Sequence, residues 1–418
     1  MKNLCFSMAV LATATLPLAA QGPLTPSGPP SPEMRTLDQL ESRTPIESLP
    51  FSINEPGSYY LTSNLHRDGG PAILINVDDV TVDLMGFTLS GTASNGIQVN
   101  PPIGESIKHL VVRNGTITGF SAGLRLVRSV GGVFEDLAIR DSGMNGVSVS
   151  GGAGNTFRRC TVAGSQSQGF RFFAAADAAS VDHVIEDCVI VDNGSDGVRF
   201  APDSLGVVSG VAIRGSTIVG NTASGGGGGI FIWAPSDAET DGIRIFNNAI
   251  SDNAPRGLEL RAAEGTIRYT SIEGNTLQGH DNAGILLTSH TSPNGVVLGT
   301  QVEGNVISRN RFLGGMYLNH TNLMSSRLVV KENVLADNGY SSAVGHMTFA
   351  QTTGTVVQGN HLSGEGTHGL KTENSSNQLV VQNSVFGEPF VVSANDQYGP
   401  ISGSGPTPNN AWANFLLD

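Results

Sequence analysis

Short apolar alternations, each preceded by a glycine, recur along most of this 418-residue chain. Apolar and polar residues alternate for four or five positions after each glycine, and this period of two predicts short β-strands. The copies recur with a mean period of about 27 residues, which is the range of stacked-repeat architectures. They start at Gly96, Gly123, Gly146, Gly169, Gly197, Gly229, Gly257, Gly284, Gly315 and Gly369, with a degenerate copy (VGHM) at Gly345.

Each repeat also contains a second apolar alternation, as in FEDLAIRDSG, IEDCVIVDNG and IRIFNNAISDN. Glycine, asparagine and aspartate stand at the corners, where left-handed backbone angles are tolerated. Two short strands per repeat without helical periodicity between them predict coils that stack into parallel sheets. Leucine-rich repeats would need a fixed leucine ladder, and propeller blades would need about twice as many strands.

These repeats resemble the right-handed parallel β-helix superfamily, whose fold is shared by pectin and alginate lyases, polygalacturonases and many secreted bacterial proteins. The resemblance covers roughly residues 72 to 395. It implies an all-β protein, a single-stranded right-handed parallel β-helix of about 11 to 12 coils with N- and C-terminal caps. It implies no particular chemistry, because unrelated functions are mounted on one fold.

The segments outside the repeats predict the domain organisation. Residues 1–20 resemble a signal peptide, with Lys2, an apolar stretch and a small-residue end at Ala20; a retained membrane anchor is the alternative. Residues 21–33 form a Pro/Gly/Ser-rich linker, and 34–71 an N-terminal cap that includes a short helix at 34–42. Residues 72–394 are the repeats, and 395–418 a C-terminal cap or sorting tag. We therefore expect a monomeric, secreted or periplasmic protein without a membrane span after signal removal.

Charge narrows the set of partners. The chain has 36 acidic and 23 basic residues, a net charge of −13, and this disfavours a nucleic-acid partner. Two of its three cysteines fall in one predicted inward column, where two buried thiols or one disulfide are both open. That column, expected to hydrogen-bond from coil to coil, contains Cys160, Cys188, Ser216, Asn248, Asn275, Asn305, Asn333, Asn360 and Ser384.

The outward side of the glycine-led strands carries the candidate binding residues. If Ile97 and its equivalents point inward, the next residue of each strand points outward. That outward column is Gln98, Arg125, Ser148, Arg171, Arg199, Phe231, Glu259, Leu286, Tyr317, His346 and Lys371, and a second column two positions on is Trp233, Arg261, Thr288, Asn319, Thr348 and Glu373. We predict that Arg125, Arg171, Arg199, Phe231, Trp233 and Glu259 bind an acidic polysaccharide through guanidinium pairing and aromatic surfaces. An ordinary solvated strand face is the alternative.

Candidate catalytic residues follow from the chemistry of uronate elimination, which needs a cation, a base and an acid. Arg261 is the candidate neutraliser, and Tyr317, His346 and Lys371 are candidates for base or acid. Hydrolysis needs two carboxyl groups at a defined separation, and Glu259 and Glu373 lie four repeats apart. A lyase is therefore favoured over a hydrolase, with a non-catalytic surface or envelope module, glycan-binding or structural, as the alternative.

One acidic run is a candidate metal site. Asp192 and Asp196 belong to the densest cluster of oxygen ligands, which suits Ca²⁺. Aspartate followed by asparagine recurs at the equivalent corner of other repeats, where it is also favourable turn chemistry. Calcium binding and turn formation are thus alternative explanations, and no other cofactor is expected.

Overall fold

The computed structural model describes residues 43–92, 94–223, 227–289, 295–320, 327–339, 345–364, 368–399, 401–403 and 413–417. The predicted signal peptide, the linker and the helix at 34–42 lie outside the described residues, as does most of the tail. Everything described belongs to one compact unit that begins at Arg43. Within these ranges no helix is long and apolar enough to cross a membrane.

Strands are the only regular elements of the described residues, and they form three sheets with parallel ladders. One sheet has 14 strands: Phe51–Ile53, Ile73–Ile75, Asn95–Val99, Ala122–Val127, Asn145–Ser150, Phe170–Phe173, Val198–Phe200, Gly228–Ala234, Arg256–Ala262, Ala283–Ser289, Gly314–His320, Met347–Ala350, Leu370–Glu373 and Phe390–Val391. A second has eight: Ile107–Lys108, Ser129–Val130, Gly152–Ala153, Ser180–Val181, Val207–Ser209, Glu239–Asp241, Thr266–Arg268 and Val296–Leu298.

The third sheet has 28 strands, because most coils contribute two consecutive strands to it. Its strands are Thr44–Ile46, Gly57–Leu61, Leu65–Arg67, Val80–Asp83, Thr88–Gly91, Val111–Thr118, Val133–Arg140, Thr156–Arg158, Thr161–Ala163, Val184–Glu186, Val189–Val191, Ala212–Arg214, Thr217–Val219, Arg244–Phe246, Ala249–Ser251, Ser271–Glu273, Thr276–Gln278, Gln301–Glu303, Val306–Ser308, Val329–Lys331, Val334–Ala336, Val356–Gln358, His361–Ser363, Leu379–Val381, Ser384–Phe386, Gln397–Tyr398, Ile401–Gly403 and Asn414–Leu417.

The predicted all-β parallel β-helix of about 11 turns is confirmed. The 11 glycine-led copies correspond to 11 strands of the 14-stranded sheet. Three further strands extend that sheet, two before the repeats (Phe51–Ile53 and Ile73–Ile75) and one after them (Phe390–Val391). Thr44–Ile46 already pairs in parallel with Gly57–Leu61, so the segment assigned to an N-terminal cap begins the stack.

The core runs through the centre of the coils. The residues predicted to point inward from the glycine-led strands are fully buried: Ile97, Leu124, Val147, Phe170, Val198, Ile230, Leu258, Ile285, Met316 and Leu370. Aromatic rings stack between coils, as Phe134 and Phe157 do at 5.0 Å between centroids. Because each coil buries its apolar side chains against the next, the stack forms one continuous core.

The predicted inward column is a ladder of hydrogen bonds. Asn305 shows the pattern: its Oδ1 accepts from Asn275 Nδ2 at 3.0 Å and from the Asn275 backbone N at 2.9 Å, and its Nδ2 donates to Ile272 O at 2.8 Å. The prediction of Ser384 as the last member is wrong by one residue, because Asn360 Nδ2 donates to Asn383 Oδ1 at 2.9 Å and Asn383 thus continues the ladder. Ser384 lies on the outer side of its strand. Cys160 and Cys188 are buried free thiols.

A second ladder at the next corner was not predicted. Asn221 Nδ2 donates to Asn253 Oδ1 at 2.9 Å, and the Asn253 backbone N donates to His280 Nδ1 at 3.1 Å. The members of this ladder are Ser165, Asn193, Asn221, Asn253, His280, Asn310, Asn338 and His346. Burial lowers the pKa of both His280 and His346 to about 4, so both are neutral ladder members at neutral pH.

Candidate functional site

The outward column of the 14-stranded sheet has the predicted register over its N-terminal part. Neighbouring coils lie about 4.8 Å apart, and each outward residue stands beside its counterpart in the next coil. The pairs are Gln98 with Arg125, Arg125 with Ser148, Ser148 with Arg171, Arg171 with Arg199, Arg199 with Phe231, Phe231 with Glu259, and, in the second column, Trp233 with Arg261. The six predicted binding residues therefore share one face.

Two shallow clefts on this face meet at Arg171, and together we call them the groove. The polar cleft, of about 400 Å³, is lined by Ser94, Asn95, Ser121, Ala122, Arg125, Met144, Asn145, Ser148, Ser150, Arg171 and Phe173. The aromatic cleft, of about 350 Å³, is lined by Gln168, Arg171, Arg199, Ala201, Pro202, Asp203, Ser204, Trp233 and Pro235. The groove thus runs along the stack, across several coils.

Two arginines hold the aromatic pair of the groove. The Phe231 and Trp233 rings are nearly parallel, with centroids 6.4 Å apart. The Arg199 guanidinium lies 5.1 Å from the Phe231 centroid and 5.3 Å from that of Trp233, and Arg261 lies 5.2 Å from Phe231. Cation–π attraction favours this arrangement. Phe231 is consequently only 3% exposed, and half-buried Trp233 is the ring that lines the aromatic cleft.

Glu259, predicted to bind substrate, is fully buried. Its Oε1 accepts from Arg261 Nε at 2.8 Å, and its Oε2 accepts from Arg256 Nη1 and from the Gly227 backbone N, both at 2.6 Å. A buried carboxylate needs such partners, because desolvation without them is costly. Glu259 therefore compensates and positions arginines, and it does not face a ligand.

Asp196 likewise compensates an arginine. It lies one coil before the strand that begins at Gly228. Its Oδ1 accepts from the Gly228 backbone N at 2.8 Å, and its Oδ2 lies 3.4 Å from Arg199 Nη1. Burial raises the pKa of this carboxyl group to about 6. Gly227 has a positive φ of 83°, and a Cβ at that position would collide with Asp196 Oδ1. Glycine is required there because the chain approaches the carboxylate so closely.

The predicted metal pair Asp192 and Asp196 is better explained by these other functions. Asp192 occupies an exposed corner with φ of 53°, as Asp252 and Asp337 do in other coils. The asparagine that follows each of them is a member of the second ladder, which accounts for the recurring Asp-Asn motif. Among the described residues no cluster of three or more potential ligands is placed to hold a metal ion.

Two arginines of the groove lack such compensation. Arg171 is half-buried, with its guanidinium 5.1 Å from the Phe173 centroid, and Arg125 is exposed. Burial and then the neighbouring Arg199 lower the pKa of Arg171, while Asp203 opposes this shift. Within the described part of the chain, neither Arg125 nor Arg171 forms an ion pair. These two cations are therefore available to an anionic ligand.

The predicted catalytic residues do not form one centre. Tyr317 lies two coils beyond Glu259, and Lys371, four coils beyond it, is 3.0 Å from Glu373. Arg261 is engaged by Glu259. Four coils correspond to about 19 Å, so Arg261 and Lys371 cannot act on one sugar bond together.

The outward placement predicted for His346 is wrong. Met347 pairs with Met316 of the preceding coil, so His346 takes the register position of Gly315. His346 is 1% exposed, accepts a hydrogen bond from the Asn338 backbone N at 3.3 Å, and lies 3.5 Å from Glu388. Thr348 and Ala350 occupy the two outward positions that the sequence assigned to His346 and Thr348.

Several residues of the groove were not predicted from the sequence. Phe173 stands two positions after Arg171, so the period-two rule that placed Trp233 and Arg261 in the second column places Phe173 there too. Pro202 and Asp203 of the aromatic cleft have no such signal. They follow the alternating positions, and only the folded corner brings them to the groove.

The family model described as "Right handed beta helix region" matches residues 71–242 and 236–386, more than half of the chain. No curated protein matches the chain. Similar solved structures include the Dettilon tailspike protein gp208, which is 16% identical with a TM-score of 0.45 and covers 86% of this chain. This chain covers 62% of that tailspike chain.

Two further similar structures are a Yersinia enterocolitica family 28 exopolygalacturonase and the A-module of the Azotobacter vinelandii mannuronan C-5 epimerase AlgE6. The first is 9% identical with a TM-score of 0.48, covering 80% of this chain and 72% of its own. The second is 13% identical with a TM-score of 0.36, covering 90% and 87%. At these identities the likenesses concern the fold alone.

Proposed function

Because this chain belongs to the right-handed β-helix family, whose fold is a scaffold for unrelated functions, we propose its function from the groove itself. The protein binds an acidic polysaccharide along the 14-stranded sheet. The observation that supports this proposal most is a pair of groove arginines, Arg125 and Arg171, that form no ion pair within the described residues of a protein whose net charge is −13.

The arginines supply recognition of the acidic groups. A guanidinium presents a planar fork of donors that pairs with a carboxylate or sulfate in two parallel hydrogen bonds. Arg171 is half-buried, so its charge is screened less by solvent than that of a fully exposed side chain. The net negative charge of the protein disfavours unspecific attraction of an anionic ligand, which favours binding at the groove.

The aromatic cleft supplies apolar contact. Trp233 offers a ring whose orientation is fixed by Arg199 and Phe231, and Pro202 and Pro235 line the same cleft. Rigid aromatic surfaces gain contact area at low entropic cost. The apolar face of a pyranose ring fits against such a surface. The ligand is a glycan of the cell exterior, in agreement with the expected secretion of a monomeric protein.

Elimination of the bound uronate is the second candidate function. Asp196 and Glu259 are fully buried and already accept hydrogen bonds, which disfavours hydrolysis by a carboxyl pair in the groove. Arg171 offers the cation that elimination needs beside the carboxylate. The residues Arg261, Tyr317 and Lys371 are spread over four coils, so binding is the function that the geometry supports better.

Calorimetric titration tests the proposal. The protein is titrated with hyaluronan, alginate, pectate and neutral dextran, and ultraviolet absorbance is followed for unsaturated product. We expect binding of acidic glycans only, and a loss of at least tenfold in affinity for the double variant Arg125→Ala with Arg171→Ala.

The matched control removes two charges from another face. Arg140 and Arg244 are exposed on the 28-stranded sheet and form no ion pair within the described residues. Their double alanine variant changes the net charge equally and should bind as the unmodified protein does. Equal losses in both double variants would show that net charge alone attracts the glycan, against the proposal.

A further inference from the structure

We infer that the groove selects glycans in which acidic and neutral sugars alternate, in preference to polymers that carry an acid on every sugar. This inference rests on the proposed function and specifies its ligand. It follows from the order of compensated and uncompensated side chains along the outward column, together with the spacing of the coils.

Open positive charge alternates with neutral positions along five consecutive coils. The outward residues are, in order, Gln98, Arg125, Ser148, Arg171 and Arg199. Arg199 is compensated by the buried carboxylate of Asp196, whereas Arg125 and Arg171 form no ion pair within the described residues. The column therefore presents neutral, positive, neutral, positive and compensated positions in turn.

The spacing of these positions matches that of a glycan that runs along the stack. Arg125 and Arg171 are two coils apart, about 10 Å at the usual strand spacing. An extended pyranose chain advances by a similar distance for every two sugars. One sugar then corresponds to one coil, and the two open arginines meet every second sugar.

The position between the two arginines suits a neutral sugar. Ser148 stands there, and the polar cleft around it offers hydroxyl and amide groups from Ser94, Ser121, Ser150, Asn95 and Asn145. These groups hydrogen-bond sugar hydroxyls and N-acetyl groups. A uronate at this position would have no cation of its own, because Arg125 and Arg171, one coil to either side, already hold the acidic groups of the neighbouring sugars.

The aromatic cleft is close to neutral as well. Arg199 is balanced by Asp196, and the exposed carboxylate of Asp203 lies at the rim of the same cleft. A second anionic group beside the one held by Arg171 would approach Asp203. A neutral sugar against Trp233 avoids that repulsion, so the alternation continues beyond Arg171.

Two octasaccharides of equal length test the inference. One alternates glucuronate with N-acetylglucosamine and carries four carboxylates, and the other is octagalacturonate with eight. Unspecific electrostatic attraction favours the second ligand, because it has twice the charge. We expect the unmodified protein to bind the alternating octasaccharide at least tenfold more tightly.

The variant Ser148→Arg adds a cation at the neutral position. We expect it to bind octagalacturonate about tenfold more tightly than the unmodified protein and to lose the preference for the alternating ligand. Thr217→Arg adds the same charge at an exposed position of the 28-stranded sheet and should leave the preference unchanged. Thermal unfolding of both variants shows whether they are folded, and Ser148→Lys serves as the second groove variant.

The outcomes separate this inference from the proposed function. Equal or tighter binding of octagalacturonate by the unmodified protein overturns the inference, and so does an unchanged preference in folded Ser148→Arg. The proposed function still holds in both cases if the Arg125→Ala with Arg171→Ala variant loses affinity. Failure of the unmodified protein to bind either octasaccharide contradicts the proposed function itself.

Discussion

The two halves of the 14-stranded sheet share one fold and differ in what their outer face offers. In the half from Asn95–Val99 to Arg256–Ala262, the outward residues Arg125, Arg171, Arg199 and Trp233 line the groove. From Ala283–Ser289 to Leu370–Glu373, outward residues such as Leu286 and Thr348 are buried. The register and the apolar interior are the same in both halves. Strand geometry therefore determines where a side chain points, while the surrounding chain determines whether it reaches a ligand.

One ion pair in each half sharpens the comparison, because burial at these pairs is the reverse of that in the outward column. Glu259 and Arg261 stand two positions apart in one strand, as Lys371 and Glu373 do in another, but Glu259 is fully buried and Glu373 is about half exposed. We expect Glu259→Gln to lower the free energy of unfolding by about 3 kcal/mol, because it leaves the charges of the partly buried Arg256 and Arg261 uncompensated.

Glu373→Gln is the matched control, since an exposed ion pair contributes little. Urea denaturation of both variants measures the difference, and the midpoint of Glu373→Gln should stay at that of the unmodified protein. Similar losses in the two variants would contradict the view that burial by the surrounding chain, and not position in the strand, decides how much such an ion pair contributes.

Acid stability probes the buried interior, which continues through both halves. His280 is a fully buried member of the second ladder, and its pKa of about 4 lies below the usual value of 6.5. The unfolded chain therefore binds a proton that the folded chain does not between these pH values. The free energy of unfolding therefore has its full value above pH 6.5 and decreases by up to about 3 kcal/mol as the pH falls to 4.

The variant His280→Asn places the usual ladder residue at this position and removes the titrating group. We expect its stability to fall less than that of the unmodified protein between pH 7 and pH 4.5, as measured by urea denaturation. His361→Asn, at an exposed position, is the control and should keep the original pH dependence. An unchanged pH dependence in His280→Asn would mean that other groups cause the acid sensitivity.

Aromatic substitutions measure the smallest of these effects. Trp233→Ala should weaken glycan binding about tenfold, a free-energy loss of about 1.4 kcal/mol that is typical of a central aromatic contact. Tyr317, an aromatic residue of the outward column in the other half, is the control, and Tyr317→Ala should bind with unchanged affinity. If both variants weaken binding alike in calorimetric titration, the ligand extends over both halves and the contrast is wrong.

Register could be predicted from sequence wherever the strand pattern is regular. The positions of Arg125, Arg171, Arg199, Phe231 and Trp233 follow from a period of two after each glycine. The prediction failed for His346, because a histidine takes the register position that glycine has in the preceding coil. The local pattern then suggests a strand that starts two residues too early.

The sequence by itself determined the parallel β-helix, its buried column and the face that carries the arginines, because all three depend on periodicity. Only the tertiary structure decided which arginines are free. Asp196 and Glu259 compensate their partners with the help of the Gly227 and Gly228 backbone N–H groups, which come from the coil between them. The sequence of a single repeat does not predict these hydrogen bonds, because they form only where three coils stack around the two carboxylates.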